Sequence, residues 1–172
     1  MPPLPPTDDT EVAAGLSPQA AAAPHPPGLR LLPETGPTPD PPLRVLVAED
    51  DAALREAVLM VLEPFAGLLE LLEAKNGGEA VRIVHSERIH LAVFDYRMPR
   101  ASGLEAYAEL RRVNPAAPGI LCTAEADETL RQDARRHRMH CVLDKPFGRR
   151  ELLGAADSAL RRAYAVRLRP AA

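Results

Sequence analysis

Leu91-Ala92-Val93-Phe94-Asp95-Tyr96-Arg97-Met98-Pro99 is the stretch that decides the fold. A short apolar run rich in Val and Phe reads as a strand buried on both faces of a parallel sheet. Pro99 bars regular structure and turns Met98 away from helical geometry. Asp95 therefore sits where a central strand gives way to a loop. In open α/β sheets that carboxyl edge is where ligands bind. An aspartate there also serves as a loop breaker or a helix cap. Its weight comes from three other strand ends that carry matching chemistry.

Working outward, the folded part begins at Arg44, and Val45-Leu46-Val47-Ala48 forms a first strand that ends in Glu49-Asp50-Asp51. Leu54, Ala57, Val58, Val61, Leu62 and Phe65 then recur at helical spacing, with Asp50 or Asp51 placed to cap the helix. Leu68 to Ala74 is a second strand, and Asn76-Gly77-Gly78 turns into a helix over Glu79 to His85. After the Asp95 strand, Ser102-Gly103-Leu104-Glu105 has capping-box spacing and opens a helix that Asn114-Pro115 stops. Gly119 to Thr123 is a fourth strand. A helix from Asp127 to Arg138 follows, its apolar positions limited to Ala126, Leu130 and Ala134. Cys141-Val142-Leu143 is a fifth strand running into Asp144-Lys145-Pro146-Phe147. The last helix carries Leu152, Leu153, Ala156, Leu160 and Ala163 on one face. Five alternations of strand and helix predict a doubly wound α/β domain, a parallel sheet with helices on both faces.

Composition narrows the remaining choices. Residues 1–43 hold 13 of the 19 prolines, so this segment is expected to be a disordered Pro/Ala-rich tail with polyproline II character. The opening Met-Pro-Pro-Leu-Pro-Pro has neither the basic nor the apolar region of a signal peptide, and no apolar run reaches membrane-spanning length. The expected compartment is the cytoplasm. Trp is absent and aromatics are scarce, which leaves no stacking platform for single-stranded nucleic acid. Cys122 and Cys141 lie in apolar runs without metal spacing and read as small buried hydrophobes. The five histidines share no ligand spacing either. The net charge of −3 conceals an asymmetry: residues 1–43 carry −4, 44–110 carry −5 and 111–172 carry +6.

The strand ends, taken together, are Glu49, Asp50 and Asp51 after the first, Asp95 after the third, Thr123 after the fourth and Lys145 after the fifth. A doubly wound sheet gathers them at one edge. Carboxylates that close together must be protonated or neutralised by a cation. Oxygen ligation by a few protein groups suits Mg²⁺, which keeps several waters and also binds phosphate oxygens. A cation, a nucleophilic carboxylate, a hydroxyl and a lysine make a phosphoryl site. The metal and Lys145 would neutralise charge, Thr123 would hydrogen-bond an oxygen, and Asp95 would attack in line. No Gly-x-Gly-x-x-Gly or P-loop follows any strand, which excludes the usual nucleotide folds. An Asp-x-Asp phosphatase would need a second acid where Arg97 stands.

These residues resemble a bacterial two-component response regulator receiver domain of the CheY-like kind, over residues 44–166. The resemblance rests on the acidic pair in Val47-Ala48-Glu49-Asp50, Asp95 with Met98-Pro99 and Gly103, Thr123-Ala124, and Lys145-Pro146-Phe147. It implies a flavodoxin-like sheet of order 2-1-3-4-5, with 167–172 left as a short C-terminal tail. It implies that Asp95 accepts a phosphoryl group from a sensor histidine kinase. Mg²⁺ would be held by Asp50, Asp95 and the Arg97 carbonyl, with Glu49 acting through water. Thr123 and Lys145 would contact the phosphoryl group, and Asp51 remains a cap. The resemblance also implies a cis Lys145-Pro146 bond and chemistry limited to self-catalysed phosphoryl transfer and slow autodephosphorylation.

Departures from the family pattern are informative. Thr123 and Val142 hold its switch positions, and Val142 stands where an aromatic is common. Arg138-Met139 replaces the small Gly-Ala pair usual before the fifth strand. Arg97 and Glu125 flank the phosphoryl group and are expected to pair across its mouth. The chain stops soon after the last helix, which predicts a stand-alone receiver read by a partner, or a relay to a histidine phosphotransfer protein. The output surface implied is the fourth helix, fifth strand and fifth helix, carrying Arg131, Arg135, Arg138, Arg149, Arg150, Arg161 and Arg162. It would suit an acidic partner or a homodimer. The alternatives are a degenerate receiver acting without phosphorylation and a DNA-contacting regulator using the basic final third. No recognition helix supports the latter.

Overall fold

A computed structural model describes residues 41–169. Five parallel strands carry the chain back and forth: β1 (Leu43–Ala48), β2 (Leu69–Ala74), β3 (Leu91–Asp95), β4 (Gly119–Thr123) and β5 (Cys141–Asp144). Between and after them lie α1 (Ala52–Leu62) with a 3₁₀ turn at Glu63–Phe65, α2 (Gly77–Ser86), α3 (Gly103–Val113), α4 (Glu128–Arg136) and α5 (Arg149–Tyr164). The sheet order is β2-β1-β3-β4-β5, the flavodoxin-like order expected from the resemblance. The order reverses beside β1, so the loops after β1 and β3 diverge and open a crevice between them.

Strand periodicity divides the core into two layers. Leu46, Ala48, Ala92, Phe94 and Leu121 point to the side covered by α2, α3 and α4. Val45, Val47, Leu91, Val93, Ile120 and Cys122 point to the side covered by α1 and α5. Every residue of β3 is buried, as a strand in the middle of the sheet requires. Fully burying one such aliphatic or aromatic side chain stabilises the fold by roughly 1.5–3 kcal/mol.

Local signals set the helix starts. The Asp51 carboxylate accepts hydrogen bonds from the Ala53 and Leu54 amides at 2.8 and 3.0 Å, so Asp51 rather than Asp50 caps α1. Ser102 and Glu105 form a reciprocal capping box at α3.

Several sequence expectations need correction. β1 begins two residues before the expected Val45, at a fully buried Leu43. α2 starts at Gly77 instead of Glu79, because Asn76 caps it through the Glu79 amide. Leu54 and Ala57 are exposed, since the buried face of α1 carries Arg55, Val58 and Leu62. Cys141 is only half-buried, because β5 is the edge strand. α4 ends at Arg136, so Arg138 lies beyond the helix and off its stripe of arginines. The tail over 1–40 and the last residues, 170–172, lie outside the described residues. After α5 the chain folds back, with the Leu168 amide donating to Asp157 Oδ1 at 2.8 Å.

Candidate functional site

The crevice at the carboxyl edge is a cleft of about 210 Å³ bounded by Glu49, Asp50, Asp95, Thr123 and Lys145. Glu49 and Asp95 are buried, at 5% and 7% exposure, while Asp50 faces solvent. One carboxylate oxygen from each of these three acids lies within 4.8 Å of the other two. Lys145 comes from the opposite side of the crevice. Its ammonium donates to Glu49 Oε2 and to Asp95 Oδ1, both at 2.6 Å.

Burial opposes the charge on Lys145. Its hydrogen bonds and attraction to Asp95 and Glu49 outweigh that cost and hold its pKa above the usual value. The Glu49 carboxyl is pushed up by burial, drawn back by Lys145 and raised again by the neighbouring Asp95 charge. One lysine thus serves two acids, while a third lies alongside. Hard oxygen donors with an excess of negative charge fit Mg²⁺.

The remaining parts of the site are held by backbone. The buried Thr123 hydroxyl accepts from the Glu125 amide at 3.2 Å, which leaves its own hydrogen to donate. The Lys145 amide donates to the Thr123 carbonyl at 2.7 Å, tying the ends of β4 and β5 together. The Lys145–Pro146 peptide is cis. Gly103 lets α3 close on the Asp95 strand end: a Cβ there would stand 2.3 Å from the Asp95 carbonyl oxygen. Arg97 Nη2 lies 2.6 Å from Glu125 Oε2, and this pair bridges the mouth with both side chains about 70% exposed. Val142, at the expected switch position, is half-buried and packs against the core layer under α4. Burial pushes the Cys122 thiol, beside the Asp95 backbone in β4, up to about 12, so it stays protonated and plays no nucleophilic part.

One contributor escaped the sequence reading. Arg55 is 9% exposed, and its Nη1 donates to the Glu49 carbonyl at 2.9 Å while its Nε meets Glu73 Oε2 at 3.2 Å. It braces the acidic loop from below. The signal available was an arginine three residues before Val58, on the apolar face of α1.

Beside the cleft, and sharing Glu49 and Lys145 with it, an apolar groove of about 410 Å³ runs between Leu54 and Val58 of α1 and Phe147 of the β5–α5 loop.

Fold and site together define a doubly wound α/β domain with an acidic cleft and a lysine at its carboxyl edge, and comparison with known proteins gives its family. Residues 45–157 match the response regulator receiver domain family. The chain is 35% identical over 121 residues to the response regulator MprA of Mycolicibacterium vanbaalenii, covering 70% of this chain and 52% of that protein. It is 34% identical over 134 residues to the transcriptional regulatory protein PdtaR of Mycobacterium tuberculosis, covering 74% and 63%. Among solved structures, a CheY-like receiver domain protein from Methanospirillum hungatei JF-1 superposes with a TM-score of 0.65 at 26% identity, covering 70% of this chain and 95% of that one. The chain belongs to the response regulator receiver domain family. It spans between half and two thirds of the length of these two curated relatives. Aspartyl phosphorylation and Mg²⁺ binding are characteristic of that family. Among the described residues no helix is long and apolar enough to cross a membrane.

Proposed function

We propose that the protein accepts a phosphoryl group on Asp95 from a sensor histidine kinase or a histidine phosphotransfer protein and signals through the resulting surface change. The observation that carries this reading is Lys145 bridging Glu49 and Asp95 at 2.6 Å each, with the Thr123 hydroxyl on the same cleft. Lys145 holds one Asp95 oxygen, and the other attacks phosphorus. The new O–P bond forms as the P–N bond of the donor breaks, and that electron pair stays on the imidazole nitrogen. Lys145 balances charge on the incoming phosphoryl oxygens, and Thr123 donates its hydroxyl hydrogen to one of them. Asp50, Asp95 and the Arg97 carbonyl are the groups that would hold Mg²⁺, with Glu49 acting through water. When bound, that ion supplies charge neutralisation. The Arg97–Glu125 pair limits the approach of water and so lengthens the life of the acyl phosphate.

Output follows from a two-state change around Thr123 and Val142, spread over α4, β5 and α5 and read by a partner protein or a second copy. On that face Arg131 is already paired with Asp144 at 2.6 Å, and Arg135 with Glu128. The other five arginines of the stripe, Arg138, Arg149, Arg150, Arg161 and Arg162, take part in no ion pair among the described residues, so the face keeps a positive character that suits an acidic partner protein.

The test is intact mass after incubation with acetyl phosphate, with and without Mg²⁺, beside Asp95→Ala. The expected result is one added phosphoryl group that requires both Mg²⁺ and Asp95. Addition that survives Asp95→Ala would overturn the assignment.

A further inference from the structure

At the opposite, amino-terminal edge of the sheet lies a second cavity of about 430 Å³, walled by Tyr107, Arg111, Arg138, Met139, His140 and Arg162. Three guanidinium groups face it, and no carboxylate is among its lining residues. None of the three takes part in an ion pair among the described residues, whereas the arginines at the end of α4 are paired: Arg135 with Glu128 and Arg136 with Asp133. Helix carboxyl ends attract cations, and Arg111 does donate to the Pro115 carbonyl just past α3. A helix end carries only about half a charge, however, and does not neutralise a guanidinium. Burial together with the Arg162 charge holds the His140 pKa below its usual value, so this imidazole is neutral at pH 7 and adds no further positive charge.

Arg138 supplies an independent observation. It occupies the left-handed region at φ 60. The Met139 amide reaches the Ala134 carbonyl and the Arg138 amide reaches the Arg135 carbonyl, both at 2.9 Å, which closes α4 in a Schellman motif. The position after the cap in that motif is ordinarily glycine, because a Cβ there is strained. This chain keeps a strained arginine at a place where glycine would be relaxed, and that arginine lines the cavity. Its backbone is further pinned by the Tyr107 hydroxyl, which donates to the Arg138 carbonyl at 3.1 Å.

We propose that this cavity is a second ligand site, one that binds a small phosphate-bearing molecule through Arg111, Arg138 and Arg162. The guanidinium forks match phosphate geometry, and Tyr107, Met139 and the alanines of α5 supply an apolar floor for the ester's body. The site lies at the far end of the strands from Asp95 and does not depend on phosphorylation there.

The test is an amide NMR titration of the full chain, without Mg²⁺ and at constant ionic strength, using inorganic phosphate, AMP and adenosine as probes. Saturable shifts at Arg138, Met139, His140 and Ala163 are expected with phosphate and AMP and not with adenosine. Arg138→Gly and Arg162→Gln are each expected to weaken binding about tenfold or more. Arg138→Gly is also expected to melt no lower than the parent and to take up phosphoryl from acetyl phosphate as before, which separates lost recognition from lost folding. The proposal is overturned by the absence of saturable shifts, by shifts confined to the Asp95 cleft, or by equal binding of adenosine. Unchanged affinity in both variants would overturn it too.

Discussion

The two edges of this sheet solve opposite electrostatic problems. At the carboxyl edge, buried acids converge from β1 and β3, and Lys145 lies within hydrogen-bond distance of two of them. At the amino-terminal edge, three guanidinium groups surround a cavity that has no carboxylate in its walls. Strand ends can bring acids together in the first region because β1 and β3 are neighbours and both end at the crevice. In the second, the cations come from helix ends and loops, whose long side chains can stay solvated. A cluster compensated by one shared cation, as these buried acids are, is sensitive to the loss of that cation. An uncompensated one tolerates substitution and awaits a ligand.

The sharpest way to break this contrast is Lys145→Met. It leaves Glu49 and Asp95 buried without a countercharge, a class of change that costs about 3–5 kcal/mol. Urea unfolding without divalent ions is expected to show a loss approaching that size, partly restored by Mg²⁺. A variant as stable as the parent would mean that the acids are compensated some other way. Arg162→Gln, which removes a cation at the other edge, is the matched control and is expected to change stability by less than about 0.5 kcal/mol.

A smaller effect is expected for Glu49→Gln. The folded-state pKa of Glu49 is raised, so its protonated form favours folding, and that contribution is present in full only below its unfolded value. The parent loses it as pH climbs through the raised pKa. The glutamine variant has no such loss. Its melting temperature without Mg²⁺ is therefore expected to exceed the parent's at pH 7, with the gap closing below about pH 4. A gap that persisted in acid would show that packing, rather than ionisation, sets the difference.

Arg97→Asn is expected to have only a small effect on stability, within about 1 kcal/mol, because the pair with Glu125 is largely exposed. Its consequence is kinetic. The phosphorylated protein should lose its phosphoryl group several-fold faster, followed by intact mass over time. An unchanged decay rate would remove the Arg97–Glu125 pair from the mechanism.

Much of the fold was legible because its three central strands are buried on both faces. Val45–Ala48 and Leu91–Phe94 read as continuous apolar runs, and no surface residue interrupts the pattern. The α3 cap was legible because Ser102 and Glu105 satisfy each other's backbone within four residues. Arg55 was not. Its partners are the Glu49 carbonyl and Glu73 on β2, and an arginine in a helix says nothing about a strand eighteen residues away. The exposure of Leu54 and Ala57 escaped for the related reason that helical spacing shows an apolar face without showing which part of it meets the sheet. The half-exposure of Cys141 follows from β5 being an edge strand, which depends on strand order and not on the apolar character of the strand itself.

By itself the sequence determined the alternation of strands and helices, the capping box at Ser102, and the four sets of polar residues at the strand ends, because each of these is written in local patterns of burial and backbone satisfaction. Only the tertiary structure decided that one ammonium would reach both Glu49 and Asp95, that Arg55 would tie the acidic loop after β1 to Glu73 of β2, and that Arg111, Arg138 and Arg162 would meet around one cavity. The meetings at Lys145 join residues 96 and 50 positions apart, and the crossovers of a parallel sheet are what bring such residues within reach.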